Sequence, residues 1–342
     1  MKKIAQLGTM TVLLLAILLA VGAFLPPYVP ADVPSSPLRL RSGLPFKYSD
    51  TTLTGRFARS LRDHGAILCL GTSETTTLKG GNWPDFLNGG KRRTTVLAGA
   101  GRTAGVHLPW MADVSACLRG LTCIFYLNPV YWNEALGRVE PEYWLRYTTP
   151  QFQQIPPAVR AELPFLDQIH PAPFLRSARR PWCQDARWHL WPEEFTEAFA
   201  PLKPWLGTPP TTPDPAIDLE RGTLKSFHHE DWFSPARAPE NTAFRDKELL
   251  EFIAACESWG VNLTIVLGPA NLPFIRHHAP EAEPASQRLQ QHLRGLLETS
   301  GVSFVDASDI GEVHGAFNDH QHISSYGAAL IAERISARIT ED

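Results

Sequence analysis

Short apolar runs, each stopped by small or polar residues, recur along the chain and alternate with stretches of helical periodicity. The first is Ala66-Ile-Leu-Cys-Leu70, stopped by Gly71-Thr72-Ser73, and the second is Thr94-Thr-Val-Leu-Ala98, stopped by Gly99-Ala100-Gly101. Leu121-Thr-Cys-Ile-Phe-Tyr-Leu127 follows, stopped by Asn128-Pro129; then, after a long interval, Val261-Asn-Leu-Thr-Ile-Val-Leu267 ahead of Gly268-Pro269, and Val302-Ser-Phe-Val305 ahead of Asp306. Runs this short and apolar suit strands covered by helices on both faces. The pattern predicts an α/β fold, a parallel sheet in a three-layer arrangement.

Between the strands, Asn241 to Trp259 predicts a helix, with Phe244, Leu249, Phe252, Ile253 and Cys256 near one stripe and Gly260 just past its end. A last helix is expected from about Ser325 to Ile339, capped by Ser324 or Ser325 and carrying Ala329, Ile331, Ile335 and Ile339 on its apolar positions. The stretch 134–235 is crowded with Pro and Trp, among them Trp182, Trp188, Trp191 and Trp205, and lacks clear strands. It reads as a helical or irregular insertion in a domain covering 51–342, its tryptophans serving more for packing than as ligand platforms.

The N-terminus changes the picture. Lys2 and Lys3 precede an uncharged stretch from Ile4 to Leu25, close to the roughly 20 residues that a membrane-spanning helix needs. Residues 1–25 are expected to form a signal anchor, with the N-terminus cytoplasmic and the rest outside by the positive-inside bias. A cleaved signal peptide is the competing reading, since Val21 and Ala23 suit a small-residue cleavage site. Residues 26–50, rich in Pro and Ser, suit a stem.

A 342-residue chain with 44% hydrophobic residues can build a large core. Its formal charge of −3, with no long Lys/Arg run, lacks the basic footprint that nucleic acid requires. The five cysteines (Cys69, Cys117, Cys123, Cys183 and Cys256) form neither CxxC pairs nor a dense disulfide framework. Cys69 and Cys123 sit in apolar runs and read as small core residues, leaving room for one disulfide among the others.

In an open parallel sheet, polar groups useful to chemistry gather beyond the carboxyl ends of the strands. Ser73, Gly101 and Asn128 each hold that place after successive runs. A serine hydroxyl needs a base to take its proton, and Asp319 and His322, three residues apart before the last helix, offer one. At that spacing the carboxylate accepts a hydrogen bond from one ring nitrogen while the other faces the nucleophile. Other readings stand beside this one. Ser73 alone is indistinguishable from a helix N-cap, with Glu74 assigned to the helix dipole. His320 competes with His322, although the spacing favours His322. His314, Asp319, His320 and His322 together could suit zinc, but no helical His-x-x-x-His or distant ligand accompanies them, so no metal is assigned. The Gly99-Ala-Gly-Arg-Thr-Ala-Gly105 run lacks the Gly-Lys-Ser/Thr of a phosphate loop, so no nucleotide or other cofactor is expected. His228-His229 and His277-His278 read as exposed polar positions.

This combination resembles the SGNH hydrolase-like superfamily, in which a Ser, a Gly and an Asn follow successive strands and a late Asp-x-x-His completes the site. Within it, the chain resembles the DltD family of D-alanyl-lipoteichoic acid proteins. The membrane anchor, Gly71-Thr72-Ser73-Glu74, the strand ending in Gly99-x-Gly101, Asn128-Pro129-Val-Tyr-Trp132, Val266-Leu-Gly-Pro-Ala-Asn271 and Asp319-His-Gln-His322 carry the likeness. Thr72 and Asn128 stand where that family tends to have Ser. The resemblance implies that Ser73 attacks an acyl carbonyl, that His322 is base and then acid, and that the backbone N–H groups of Ser73 and Gly101 with the Asn128 amide hold the oxyanion. It further implies D-alanyl transfer onto a cell-envelope glycopolymer beside a membrane-bound O-acyltransferase and an acyl donor carrier. O-acetyl transfer to, or ester cleavage of, an exopolysaccharide is the alternative activity, and a non-catalytic membrane-tethered scaffold is the alternative class.

Overall fold

The computed structural model describes residues 8–14, 16–17, 38–40, 58–59, 61–75, 81–90, 92, 94–98, 103–132, 209–214 and 239–340. Gly101, Cys183, the four tryptophans named above and the insertion other than 209–214 lie outside the described residues.

Six strands make one sheet: β1 (Leu38–Leu40), β2 (Ile67–Gly71), β3 (Thr94–Ala98), β4 (Thr122–Leu127), β5 (Asn262–Leu267) and β6 (Ser303–Asp306). Their order is β1-β3-β2-β4-β5-β6, and every pairing is parallel. The five apolar runs are strands as expected, Thr94–Ala98 at its predicted bounds and the other four starting one residue later. β1 was not expected. It falls in the 26–50 segment read as a stem, where Leu38, Arg39 and Leu40 pair with Thr95, Val96 and Leu97 at the sheet edge. Two leucines around one arginine are too short a signal for periodicity to detect.

Successive side chains of a strand point to opposite faces, and the core divides accordingly. Leu68 and Leu70 of β2 join Cys123, Phe125 and Leu127 of β4 in one cluster; Ile67, Cys69, Ile124 and Tyr126 from the same strands join the other. Over the first face lie α2 (Ala104–Asp113), α3 (Pro239–Ser258) and α5 (Glu283–Ser300), contributing Leu108, Met111, Leu249, Phe252, Cys256, Leu293 and Leu297. Over the second lie α1 (Trp83–Phe86) and α6 (Ser325–Thr340), with Trp83, Phe86, Ile331 and Ile335 fully or nearly fully buried. A further short helix, α4 (Leu272–His278), follows β5.

The helices over 239–258 and 325–340 match the predicted ones closely, and Gly260 has the left-handed φ of 69° that stops the first of them. Ser324 caps the second, its Oγ accepting from Gly327 N at 3.1 Å. Cys69 and Cys123 are fully buried as expected, and Cys256, open to a disulfide from the sequence, is buried and unpaired too. Burial pushes its thiol up to about 12, so it serves as apolar bulk. His277 is exposed, but His278 is half-buried, its ring 4.2 Å from that of Phe274. At the N-terminus, residues 8–14, 16 and 17 are helical and expose Met10, Val12, Leu13, Leu14 and Ile17. Among the described residues no helix is long and apolar enough to cross a membrane.

The glycine run after β3 also has a structural use. A Cβ on Gly105 would lie 2.5 Å from Glu248 Oε1, so this glycine lets α3 close onto the start of α2. There Glu248 meets Arg245 at 2.8 Å, both side chains 1% exposed, and accepts from Thr103 Oγ1 at 2.7 Å. Removing one partner of a buried ion pair leaves an uncompensated charge. Glu248→Ala is therefore expected to cost about 3–5 kcal/mol of stability in denaturant unfolding, whereas truncation of the exposed Leu250 is expected to stay within about 0.5 kcal/mol.

Candidate functional site

The strand order reverses direction at β2: the chain passes first to β3 on one side and then to β4 on the other. In doubly wound sheets the crevice outside the carboxyl ends at such a point receives ligands. The residues following β2 and β4 are Thr72-Ser73-Glu74 and Asn128.

Ser73 opens a single 3-10 turn, Ser73–Thr75, directly after β2. The turn leaves the strand through Gly71, whose φ of 144° belongs to glycine. A Cβ there would stand 2.7 Å from Thr75 Oγ1 and 2.9 Å from the Tyr126 carbonyl, so the turn is pressed against β4. Thr75 N–H closes it by donating to the Thr72 carbonyl at 3.1 Å. Asn82 ties it to α1: Nδ2 donates to the Glu74 carbonyl at 2.8 Å while Oδ1 accepts from Trp83 N at 2.7 Å. Asn82 also completes a capping box, its N–H donating to Asp85 Oδ2 at 2.6 Å.

Glu74 does not act as the sequence suggested. A three-residue turn has almost no macrodipole to complement, and the Glu74 side chain is fully buried, accepting a hydrogen bond from Thr72 Oγ1.

Asn128 is 4% exposed, and its Oδ1 accepts from Val130 N at 3.0 Å. That bond orients the amide and leaves Nδ2 as the end able to donate to a reacting oxygen.

Asp319 and His322 sit on a small loop pinned at its base by the Phe317–Ile323 bridge and by Asn318 N–H donating to the His322 carbonyl at 2.8 Å. Asp319 Oδ1 accepts from the N–H groups of Gln321 at 2.9 Å and His322 at 2.7 Å, while Oδ2 lies 2.8 Å from His322 Nδ1. Asn271, the N-cap of α4, clamps the loop from β5, its Nδ2 donating to the Asp319 carbonyl at 2.9 Å. Burial alone would raise the Asp319 carboxyl, but the His322 ring, its charge and the two backbone N–H groups outweigh it and bring the value down to about 2. An ionised carboxylate only accepts, so Nδ1 carries the proton and Nε2 is the basic nitrogen.

Burial lowers the affinity of His322 for a proton. The hydrogen bond that His322 donates to Asp319, the charge of Glu74 and the charge of Asp319 outweigh that and raise it overall. His320 goes the other way. It is lowered by burial, which outweighs the pull of Asp319, whose Oδ1 is 4.0 Å from its Nδ1, with a smaller contribution from His322. Of the two rings, that of His322 lies within hydrogen-bond distance of Asp319, at 2.8 Å against 4.0 Å for His320.

Asn82 and Asn271 had no place in the sequence-based site. A polar residue just ahead of a helix was the local signal of Asn82, and Asn271 also closed the Val266-Leu-Gly-Pro-Ala-Asn271 motif. An NMR pH titration is expected to put the His322 midpoint above the ordinary imidazole value of about 6.5 and the His320 midpoint below it. Asp319→Asn should lower the His322 midpoint by about one unit or more. A raised histidine favours the folded state at low pH, and that contribution is lost as pH rises through the folded-state midpoint. Asp319, with its lowered value, contributes above the ordinary carboxylate range, and its share is lost as pH falls toward about 2.

No family model and no curated protein matches the chain. Among solved structures it is similar to a Bacteroides fragilis protein described as an acylhydrolase, at 11% identity over 86% of this chain and 97% of that one, with a TM-score of 0.37. It is also similar to an extracellular lipase from Streptomyces rimosus, at 8% identity over 81% of this chain and 98% of that one, with a TM-score of 0.36. Likenesses this distant assign no activity.

Proposed function

We propose that this chain is a serine acyl-transfer enzyme, an esterase or acyltransferase of SGNH type, with Ser73 as nucleophile, His322 as base and Asp319 as the group that orients it. One observation supports the reading: Asp319 Oδ2 lies 2.8 Å from His322 Nδ1, which leaves Nε2 as the base. The loop that carries the pair is held by Asn271, just beyond the carboxyl end of β5, through the Asp319 carbonyl.

In this mechanism Nε2 of His322 takes the Ser73 hydroxyl proton as Oγ forms a bond to the acyl carbonyl carbon. Asp319 stabilises the imidazolium through Nδ1–H. The Asn128 Nδ2 amide and the backbone N–H groups of Ser73 and Gly101 receive the oxyanion. Collapse expels the leaving group, which takes the proton from His322 and leaves an acyl-serine. An acceptor hydroxyl, from water or a polymer, then gives its proton to His322 as its oxygen bonds the acyl carbon, and His322 returns that proton to Ser73 Oγ as the acyl–serine bond breaks.

The finer reading rests on the family resemblance and the apolar N-terminus. The protein is anchored in the cell membrane with its domain outside and transfers an acyl group, D-alanyl by resemblance, to an envelope glycopolymer. Its partners are a membrane-bound O-acyltransferase and an acyl donor carrier. O-acetyl transfer to an exopolysaccharide uses the same machinery.

A fluorophosphonate probe is expected to label the full-length protein at Ser73 and not to label Ser73→Ala, which should also lose p-nitrophenyl ester turnover. Asp319→Asn should lower kcat by roughly 10⁴-fold and Asn128→Ala by roughly 10²–10³-fold. Full cellular function of Ser73→Ala, together with no labelling, would instead identify a non-catalytic scaffold.

A further inference from the structure

The turn that carries Asn128 is tied down at both ends. It runs Pro129–Trp132, directly after β4 and its asparagine. Asn128 closes the near end, its Oδ1 accepting from Val130 N at 3.0 Å and its carbonyl from Tyr131 N at 3.3 Å. At the far end the Trp132 ring is buried, and an indole N–H in a buried ring needs an acceptor. Asp246 of α3 supplies it, Oδ1 accepting from Trp132 Nε1 at 2.9 Å. The second oxygen of the same carboxylate, Oδ2, lies 2.7 Å from Nε2 of His292 on α5. One side chain thus joins the exit of β4 to two helices, across 114 and 46 residues of sequence.

We propose that Asp246 is a positioning residue that acts through Asn128: steadied by His292, it fixes Trp132 and with it the turn from which Asn128 Nδ2 meets the oxyanion. The inference rests on the acyl-transfer reading and adds a support for one of its donors. Because Asn128 Oδ1 is bonded inside the turn, the aim of Nδ2 follows wherever the turn is set. An oxyanion donor acts best when it is aimed before charge develops, and a displacement of about 1 Å can cost roughly 10²-fold in rate. The Asp246 and His292 side chains are 18% and 43% exposed, so both lie outside the buried core and can be replaced without leaving a cavity in it.

The test is a double-mutant cycle on the full-length protein, measuring kcat and KM for a p-nitrophenyl ester. Asp246→Ala should lower kcat by roughly tenfold or more at nearly unchanged KM. Asp246→Asn, whose Oδ1 still accepts from the indole, should restore most of the loss. In the Asn128→Ala background Asp246→Ala should cost almost nothing further. An unchanged kcat in Asp246→Ala, or an equal loss in both backgrounds, would overturn the proposal. Should Asp246→Ala fail to fold, Trp132→Phe, which deletes the indole donor and keeps an aromatic ring, takes its place in the cycle, and the same two outcomes decide. The side-chain amide NMR resonances of Asn128, identified by their absence in Asn128→Ala, give a readout that needs no turnover. Asp246→Ala should shift them, and unmoved resonances would overturn the proposal. If Ser73→Ala stays active the acyl-transfer reading falls, while those resonances still report whether Asp246 sets the Asn128 amide.

Discussion

Everything in this fold that bears on chemistry depends on β2 being hydrogen-bonded in parallel on both sides, to β3 and to β4. A parallel strand buried on both faces has no free backbone groups along its length, so the chain can expose polar atoms only where it leaves the sheet. All strands run the same way, and every exit therefore lies at one end. Because the order turns around at β2, helices cover the exits of β2 and β4 from opposite faces and leave a crevice between them. Gly71 sharpens the consequence by letting the Ser73 turn press against the β4 backbone where any side chain would collide.

Three asparagines organise that crevice by the same physics. Asn82, Asn128 and Asn271 each spend Oδ1 on the N–H of a turn or helix that starts just after them. Such a bond satisfies a donor that helix geometry leaves orphaned and fixes the amide orientation as a by-product. Asn82 then uses Nδ2 to hold the Glu74 carbonyl, and Asn271 uses it to hold the Asp319 carbonyl. Asn128 applies the same device at the exit of β4, where its donor end becomes a candidate substrate contact.

Among the described residues, Glu74, Asp85, Arg245 and Glu248 bury charged side chains. Arg245 and Glu248 neutralise one another between α2 and α3 and act as a clamp beside the exit of β3. Beside the exit of β2, Glu74 accepts from the Thr72 hydroxyl and Asp85 accepts from the Asn82 N–H.

The strands from Ile67 to Val305, the two long helices at Pro239 and Ser325, and the short-range Asp319–His322 pairing were legible in the sequence. Each is governed by neighbours a few positions away, through side-chain alternation, helical periodicity or the reach of a carboxylate across three residues. β1 escaped because three residues carry no period, and its partner β3 lies more than fifty positions on. Glu74 was misjudged because its sequence neighbours suggested a helix start, while its burial comes from chain segments that only folding brings near. Residue identity thus marked Ser73, Asn128, Asp319 and His322 as candidates. Tertiary structure decided what holds each of them, the exits of β2 and β4 and a loop clamped by Asn271, because burial and hydrogen bonding depend on distance in space and not along the chain.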